Sequence, residues 1–295
     1  MSRYGQLNQM VAAHFPGARL LSFEVLSGGV SANVARLDIA LSGGSTRSII
    51  LREHGVTHDG HNLDVEFALL NTLNSAGLAV PKPLARDDSQ TLLDHPYLLL
   101  EFVEGSTEIP AEQVDARISI MAEHLPSIHA VPTASLPPLP RIIDPVPELL
   151  EVIPDHPEWS KLMQGARALT NTAYDGEPVL LHCDFYPRNI LWNEEGAIEA
   201  VIDWEDASIG DPLFDVACTC LELRYLHGKP GEQSFREAWE RHHTIEPMRF
   251  ALWQAYAAAW GLENMGNWKL EASTEQAMRQ EALDTISEAA NIIGC

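Results

Sequence analysis

The chain is 295 residues long and carries 19 Lys and Arg against 42 Asp and Glu, a formal net charge of −23. This excess of acid argues against binding to nucleic acid or to an anionic membrane, because both need a basic protein surface. No run of about 18 apolar residues occurs, so we expect no membrane span. The first ten residues lack the apolar core of a signal peptide, and four cysteines do not indicate a disulfide framework. The sequence therefore predicts a cytoplasmic protein.

The acidic residues are unevenly distributed. Residues 1–103 hold 7 basic and 10 acidic side chains, a difference of −3, whereas residues 104–295 hold 12 and 32, a difference of −20. Together with the break at Glu104-Gly105, this split predicts two domains, residues 1–103 and 104–295.

The first part is predicted to be rich in strands. Turns of Gly and Ser separate three β-prone segments, so these strands should pair antiparallel: 20–27, 32–41 and 46–52. Apolar residues recur every three or four positions from Asn62 to Ala76, and Gly77 follows, which predicts an amphipathic helix. Residues 97–103 (YLLLEFV) are typical of a buried strand.

The second part is predicted to be mainly helical. Helical spacing occurs in six segments: 112–130, 158–172, 212–226, 232–243, 247–263 and 274–292. Short β-prone pieces occur at 179–182, 190–193 and 198–202. Residues 132–157 contain 8 prolines and are predicted to form an ordered but irregular connection.

Residues 179–216 contain the pattern that is informative about chemistry. A short apolar strand leads into a loop with Asp184 and Asn189, and a hairpin returns the chain to Asp203, so these three side chains should converge at one cleft. The oxygens of Asn189 and Asp203 suit Mg²⁺, which binds few protein ligands and keeps phosphates and water. Asp184 could orient a hydroxyl nucleophile or accept its proton. This combination indicates phosphoryl transfer.

The same stretch resembles a known family. His182-x-Asp184 followed by Asn189, then Ile202-Asp203-Trp204-Glu205 and Gly210-Asp211-Pro212 with Asp215, is similar to the signature of the aminoglycoside phosphotransferase and choline kinase-like superfamily. This superfamily is the small-molecule branch of the protein-kinase fold. The resemblance covers residues 23–217 and implies an α+β, bilobal fold. A small antiparallel sheet with one helix would form the nucleotide-binding N-lobe, and a larger, mainly helical C-lobe would hold the catalytic residues.

The resemblance also implies roles for individual residues. Asp184 would be the catalytic aspartate, Asn189 and Asp203 would hold Mg²⁺, and His182 and Asp215 would support the catalytic loop. Residues implied to bind ATP are Gly28, Gly29 and Ser31 over the phosphates, Arg52 with Glu66, and Glu101 and Val103 at adenine. Candidate substrate contacts are Arg188, Glu205 and Asp206.

One position departs from the better-known members of the family. Arg52 stands in SIILREH where those proteins have lysine. Arginine keeps the positive charge for the α- and β-phosphates and is expected to pair bidentately with Glu66, but it is bulkier than lysine. The glycine pattern at 28–31 is not GxGxxG either.

These departures leave alternatives to an ATP- and Mg²⁺-dependent small-molecule kinase. One is a nucleotide-binding pseudo-kinase with a regulatory role, and another is an unrelated hydrolase that uses Asp184 on water. The acceptor is not identified by the sequence; the acidic second part favours a cationic, hydroxylated small molecule only mildly. Neither the choice between ATP and GTP nor the oligomeric state follows from the sequence.

Overall fold

The computed structural model describes residues 2–26, 32–55, 60–153 and 159–294. The chain forms two compact units. The first comprises Met1–Gly105 with the later segments Leu136–Pro138 and Ile198–Glu205, and the second comprises the remainder. The units are therefore not continuous in sequence, and the division into residues 1–103 and 104–295 stays a prediction.

The helices and strands follow one another in chain order. Up to residue 105 they are α1 (Arg3–His14), β1 (Arg19–Leu26), β2 (Ala32–Ala40), β3 (Thr46–His54), α2 (Leu63–Ser75), β4 (Pro83–Asp87) and β5 (Tyr97–Glu101). From residue 106 they are α3 (Val114–His129), β6 (Arg141–Ile142), α4 (Pro145–Val152), α5 (Ser160–Ala168), β7 (Val179–Leu181), β8 (Ile190–Trp192), β9 (Ile198–Val201), β10 (Ser208–Gly210), α6 (Pro212–Glu240), α7 (Pro247–Asn264) and α8 (Ala272–Ile293). None of the helices in the described ranges is long and apolar enough to cross a bilayer.

The first unit is built on an antiparallel sheet with the strand order β1-β2-β3-β5-β4. The three predicted N-terminal strands pair as expected. Strand β3 lies at the centre of the sheet, where Arg52 is opposite Val34 of β2 and Leu98 of β5. A central strand is hydrogen-bonded on both edges, so the backbone from which Arg52 projects is held in place.

Helix α1 was not predicted. Its buried residues Leu7, Met10 and Val11 belong to the hydrophobic cluster of the sheet, together with Leu37 and Ile49. Three apolar residues form a narrow stripe, which is weak evidence for a helix in a sequence. Packing against the sheet supplies the stabilisation that the local pattern lacks.

Helix α2 agrees with the prediction at both ends. The Asn62 side chain caps the helix by accepting a hydrogen bond from the backbone N–H of Val65 at 3.0 Å. Gly77 follows the helix with φ of +83°, a conformation that glycine adopts at little cost. The cap places Glu66 in the first turn, where its side chain is buried.

The second unit is mainly helical, so the α+β fold class is confirmed. Of two expectations for it, one was confirmed and the other was wrong in detail. Residues 212–226 and 232–243 were predicted as separate helices, and α6 is indeed two helical segments that meet at a kink at Gly228, where φ is +67° and ψ is −171°. The proline-rich connection also contains α4, which begins at Pro145 after an Asp144 cap, because proline is well tolerated in a first helical turn.

Candidate active site

In the first unit, Arg52 and Glu66 form the expected contact. Nη1 of Arg52 donates to both carboxylate oxygens of Glu66, each at 2.9 Å. Both side chains are buried, with 9% and 3% of their surface exposed. The geometry differs from a fork in which two nitrogens meet two oxygens, because one nitrogen serves the whole carboxylate. The second terminal nitrogen of Arg52 is therefore left for other partners.

Those partners come from the segment that follows β9. Nη2 of Arg52 donates to Oδ1 of Asp203 at 3.1 Å and also to the carboxylate of Glu205. Asp203 has φ of +64°, a left-handed conformation that is uncommon for a residue with a side chain. Sequence reasoning missed this contact because it joins residues more than 150 positions apart.

His54 completes this cluster. It lies two residues after Arg52 on the same face of β3, and its Nε2 lies 3.1 Å from the Glu66 carboxylate. The cluster holds three carboxylates against one guanidinium, so it carries a net charge of −2 when His54 is neutral. Burial lowers the pKa of Arg52, but Glu66, Asp203 and Glu205 outweigh that effect and raise its pKa overall. Arg52 therefore stays charged.

In the second unit, the loop after β7 is anchored to helix α6. The Asp215 carboxylate accepts hydrogen bonds from the backbone N–H groups of His182, at 3.0 Å, and Cys183, at 2.8 Å. Asp215 is fully buried, and so is His182. One turn along the helix, the Thr219 hydroxyl donates to the Phe185 carbonyl at 2.7 Å. Two successive turns of α6 thus hold the loop on both sides of Asp184.

Within this loop, Asn189 orients Asp184. The side-chain Nδ2 of Asn189 donates to Oδ2 of Asp184 at 2.7 Å and to its backbone oxygen at 2.9 Å. The backbone N–H of Asp184 donates in turn to Nδ1 of His182 at 3.2 Å. Because Nδ2 of Asn189 serves Asp184, the amide oxygen is the atom that Asn189 can offer to a cation.

The other predicted site residues lie as follows. Arg188 and Asp206 are exposed, whereas Glu205 is buried against Arg52. Glu101 ends β5, and its carboxylate lies 3.5 Å from Arg47. Val103 follows that strand and is half-buried. Gly28, Gly29 and Ser31 lie outside the described residues.

The predicted metal ligands belong to different units, Asn189 to the second and Asp203 to the first. Their convergence on one cation stays a prediction. Among residues 2–26, 32–55, 60–153 and 159–294, no group of three or more His, Cys, Asp or Glu side chains has the arrangement of a metal site. Of the predicted ligands Asn189 and Asp203, only Asp203 belongs to these four residue types, so this absence does not bear on the predicted magnesium site.

Comparison with known sequences gives a family match over most of the chain. The model of the phosphotransferase enzyme family matches residues 22–258. Acyl-CoA dehydrogenase family member 10 of Mus musculus is 25% identical over 248 residues, which are 75% of this chain and 22% of that protein. The chain spans less than a third of the length of the curated relatives that it matches.

Comparison with solved structures agrees. The GDP complex of aminoglycoside 2′-phosphotransferase-IIIa superposes with a TM-score of 0.67 at 18% identity, and 99% of each chain is covered. A ternary complex of aminoglycoside phosphotransferase APH(4)-Ia with AMP-PNP and hygromycin B has a TM-score of 0.66 at 18% identity, with 96% of this chain and 98% of that chain covered. These likenesses confirm the predicted kinase-like fold.

Proposed function

This chain belongs to the phosphotransferase enzyme family, and from that premise we propose that it transfers the γ-phosphate of ATP, with Mg²⁺, to a hydroxyl group of a small molecule. The acceptor oxygen attacks the γ-phosphorus, the bond to the β–γ bridging oxygen breaks, and ADP leaves. The hydroxyl proton passes to the carboxylate of Asp184.

The hydrogen bond from Asn189 to Asp184 is the observation that carries this proposal. A carboxylate that must receive a proton from a substrate hydroxyl has to be held in one orientation. Asn189 holds Oδ2 at 2.7 Å, and the loop backbone is itself fixed by Asp215. Such a rigid carboxylate, half-buried rather than fully solvated, suits a positioning and proton-accepting role.

The donor atoms fit a magnesium ion. Asn189 can offer an amide oxygen and Asp203 a carboxylate oxygen, which are the hard ligands that Mg²⁺ prefers. Within the first unit three carboxylates contact Arg52, so a divalent cation beside Asp203 would offset the repulsion between these carboxylates and the nucleotide. When bound, Mg²⁺ would neutralise negative charge on the phosphates.

Arg52 and Glu66 support nucleotide binding in the first unit. We propose that Arg52 contributes positive charge to the α- and β-phosphates and that Glu66 keeps its guanidinium in place. Burial of the pair restricts the arginine to few conformations, so less conformational entropy is lost when it binds a phosphate. Nucleotides are bound by the two solved structures described above.

A hydroxylated acceptor is supported by the same comparison, since hygromycin B occupies one of those structures. For this chain, residues 104–295 carry 20 more acidic than basic side chains. Such a field raises the local concentration of cations. We therefore propose a small, hydroxylated acceptor and favour one that carries an amine.

Transfer of labelled γ-phosphate tests the proposal. The protein is incubated with γ-labelled ATP, Mg²⁺ and a panel of hydroxylated amines, sugars and antibiotics, and labelled products are separated. Transfer to at least one acceptor is expected. Asp184→Asn and Asp203→Ala should each abolish it, and removal of Mg²⁺ with a chelator should do the same.

Asp284→Asn is the matched control, because Asp284 is an exposed acid on α8. It should transfer phosphate like the unmodified protein. Transfer that survives in Asp184→Asn, or that needs no divalent cation, would contradict the proposal.

A second function is favoured by one observation. Both terminal nitrogens of Arg52 already bind carboxylates, so the guanidinium has few donors for phosphates. This arrangement is compatible with a pseudo-kinase that binds nucleotide and regulates without transfer. Calorimetric binding of Mg-ATP with no transfer of label to any acceptor would support this function over catalysis.

A further inference from the structure

The Glu205 carboxylate is buried, and it contacts Nη2 of Arg52. We propose that Glu205 is a positioning residue matched to the arginine at position 52, and that it holds Nη2 beside Asp203 while Glu66 holds Nη1. This inference rests on the proposed function, because it concerns how Arg52 is presented to a nucleotide.

The geometry explains why the pair requires an arginine. A guanidinium has two terminal nitrogens whose N–H groups point in different directions within one plane. Here one side serves Glu66 of α2, and the other serves Asp203 and Glu205 of the segment after β9. A lysine has a single nitrogen on a flexible stem and cannot hold both sides in this arrangement.

The charges of the cluster also indicate that Glu205 is matched to Arg52. Three carboxylates face one guanidinium, and the side chains of Glu66, Glu205 and Arg52 are each at most 11% exposed. Removing the cation from a buried ion pair leaves an uncompensated carboxylate, which is strongly unfavourable. The buried Glu205 carboxylate should therefore depend on Arg52, whereas Arg52 keeps Glu66 and Asp203 as partners when Glu205 is changed.

Exposure distinguishes the two acids that share Nη2. The Asp203 side chain is 37% exposed, whereas that of Glu205 is 11% exposed. Asp203 thus remains accessible to a cation while it contacts Arg52. Glu205 is turned into the cluster, which favours a role through Arg52 over direct contact with an acceptor.

A double-mutant cycle tests the match. Mg-ATP affinity is measured by calorimetry for the unmodified protein, Arg52→Lys, Glu205→Gln and the double variant. Each single variant should bind about ten-fold more weakly, since each loses the contact between Nη2 and the Glu205 carboxylate that helps to fix the guanidinium. The double variant should bind no more weakly than the poorer single variant, because a lysine needs to serve only Glu66 when residue 205 is neutral.

Glu53→Gln provides the matched control. Glu53 is a buried acid on the same strand, but its partner is Arg3. Combined with Arg52→Lys, it should give fold-changes that multiply. The proposal is overturned if the changes at 52 and 205 also multiply, or if Glu205→Gln leaves Mg-ATP affinity unchanged. It is likewise overturned if Glu205→Gln only raises the Mg²⁺ concentration required, since that is the behaviour of a metal ligand.

Failure of the proposed function is distinguishable from failure of this inference. If the unmodified protein does not bind Mg-ATP, the proposed function is wrong. Thermal unfolding of the same four proteins then tests the match. Non-additive shifts in Tm support it, and additive shifts overturn it.

Discussion

Nε2 of His129 lies 2.9 Å from Oδ2 of Asp215, the same oxygen that accepts the backbone N–H of His182. Asp215 is fully buried on α6, and His129 ends α3. One carboxylate thus connects two helices to the loop that carries Asp184. Sequence reasoning assigned a supporting role to Asp215 but did not connect it with His129.

Asp215→Asn is expected to destabilise the second unit. Asparagine keeps the size of the side chain, but its NH₂ group is a donor that must face at least one other N–H. An unsatisfied buried donor costs about 1–3 kcal/mol in the free energy of unfolding. Urea unfolding measures this loss. Asp284→Asn, an exposed control, should be unchanged, and equal stability of the two variants would rule out the anchoring role.

Gly210→Ala is expected to be severely destabilising. A Cβ at this position would lie 1.8 Å from the backbone oxygen of Ile142, in the parallel pairing of β10 with β6. Backbone cannot move aside as a side chain can, so we expect a loss of about 3 kcal/mol or failure to fold. Gly266→Ala is the control, because its Cβ would have no heavy atom within 4 Å. Circular dichroism during thermal unfolding compares the two, and a stable Gly210→Ala protein would contradict this packing.

Arg224→Met is expected to lower the free energy of unfolding, because Arg224 is the buried cation of a group of ion pairs. Arg224 is 3% exposed and binds Glu232, Glu281 and Glu288 at 3.3, 2.7 and 3.1 Å. Methionine replaces its volume but leaves the buried Glu232 without its cation, at a cost of about 3–5 kcal/mol. Glu281 and Glu288 are partly exposed, and Glu288 keeps an ion pair with Lys229. Arg279→Met removes a partly exposed pair with Glu275 and a hydrogen bond to the Leu262 carbonyl, and should cost about 1 kcal/mol or less. Chemical unfolding that ranked these variants in the opposite order would refute the assignment.

Glu222 is expected to make stability depend on pH. Burial raises the pKa of Glu222 to about 7, although the positive charge of Arg188 opposes the shift. Between the ordinary glutamate pKa of about 4.5 and pH 7, the unfolded chain releases this proton while the folded chain keeps it. The free energy of unfolding should therefore fall as the pH rises through this window and level off above it.

Glu222→Gln isolates that contribution. Glutamine cannot titrate, so the variant should show a shallower decline of Tm between about pH 5 and pH 7 than the unmodified protein. Glu237→Gln, at an exposed position of the same helix, should leave the decline unchanged. Identical pH profiles for the unmodified protein and Glu222→Gln would show that Glu222 has an ordinary pKa.

Local patterns were predictable where one short segment contains all the information. The apolar spacing and Gly77 stop of α2, the Gly and Ser turns between β1, β2 and β3, and the helical character of the second unit all agree with the structure. Helix α1 and helix α4 were missed. Helix α1 depends on packing with residues of the sheet that are distant in sequence.

The residues at 182–215 are enough to indicate the family and the phosphoryl transfer proposed for it, because a few oxygen ligands and a carboxylate recur there at characteristic intervals. The contacts of Arg52, by contrast, depend on the tertiary fold. Its guanidinium contacts both Glu66 and Glu205, and Glu205 lies 153 positions after Arg52 in the sequence. The spacing of residues along a chain predicts which side chains share a face of one helix or strand. An ion pair between distant segments forms only when folding brings β3 close to the segment that follows β9.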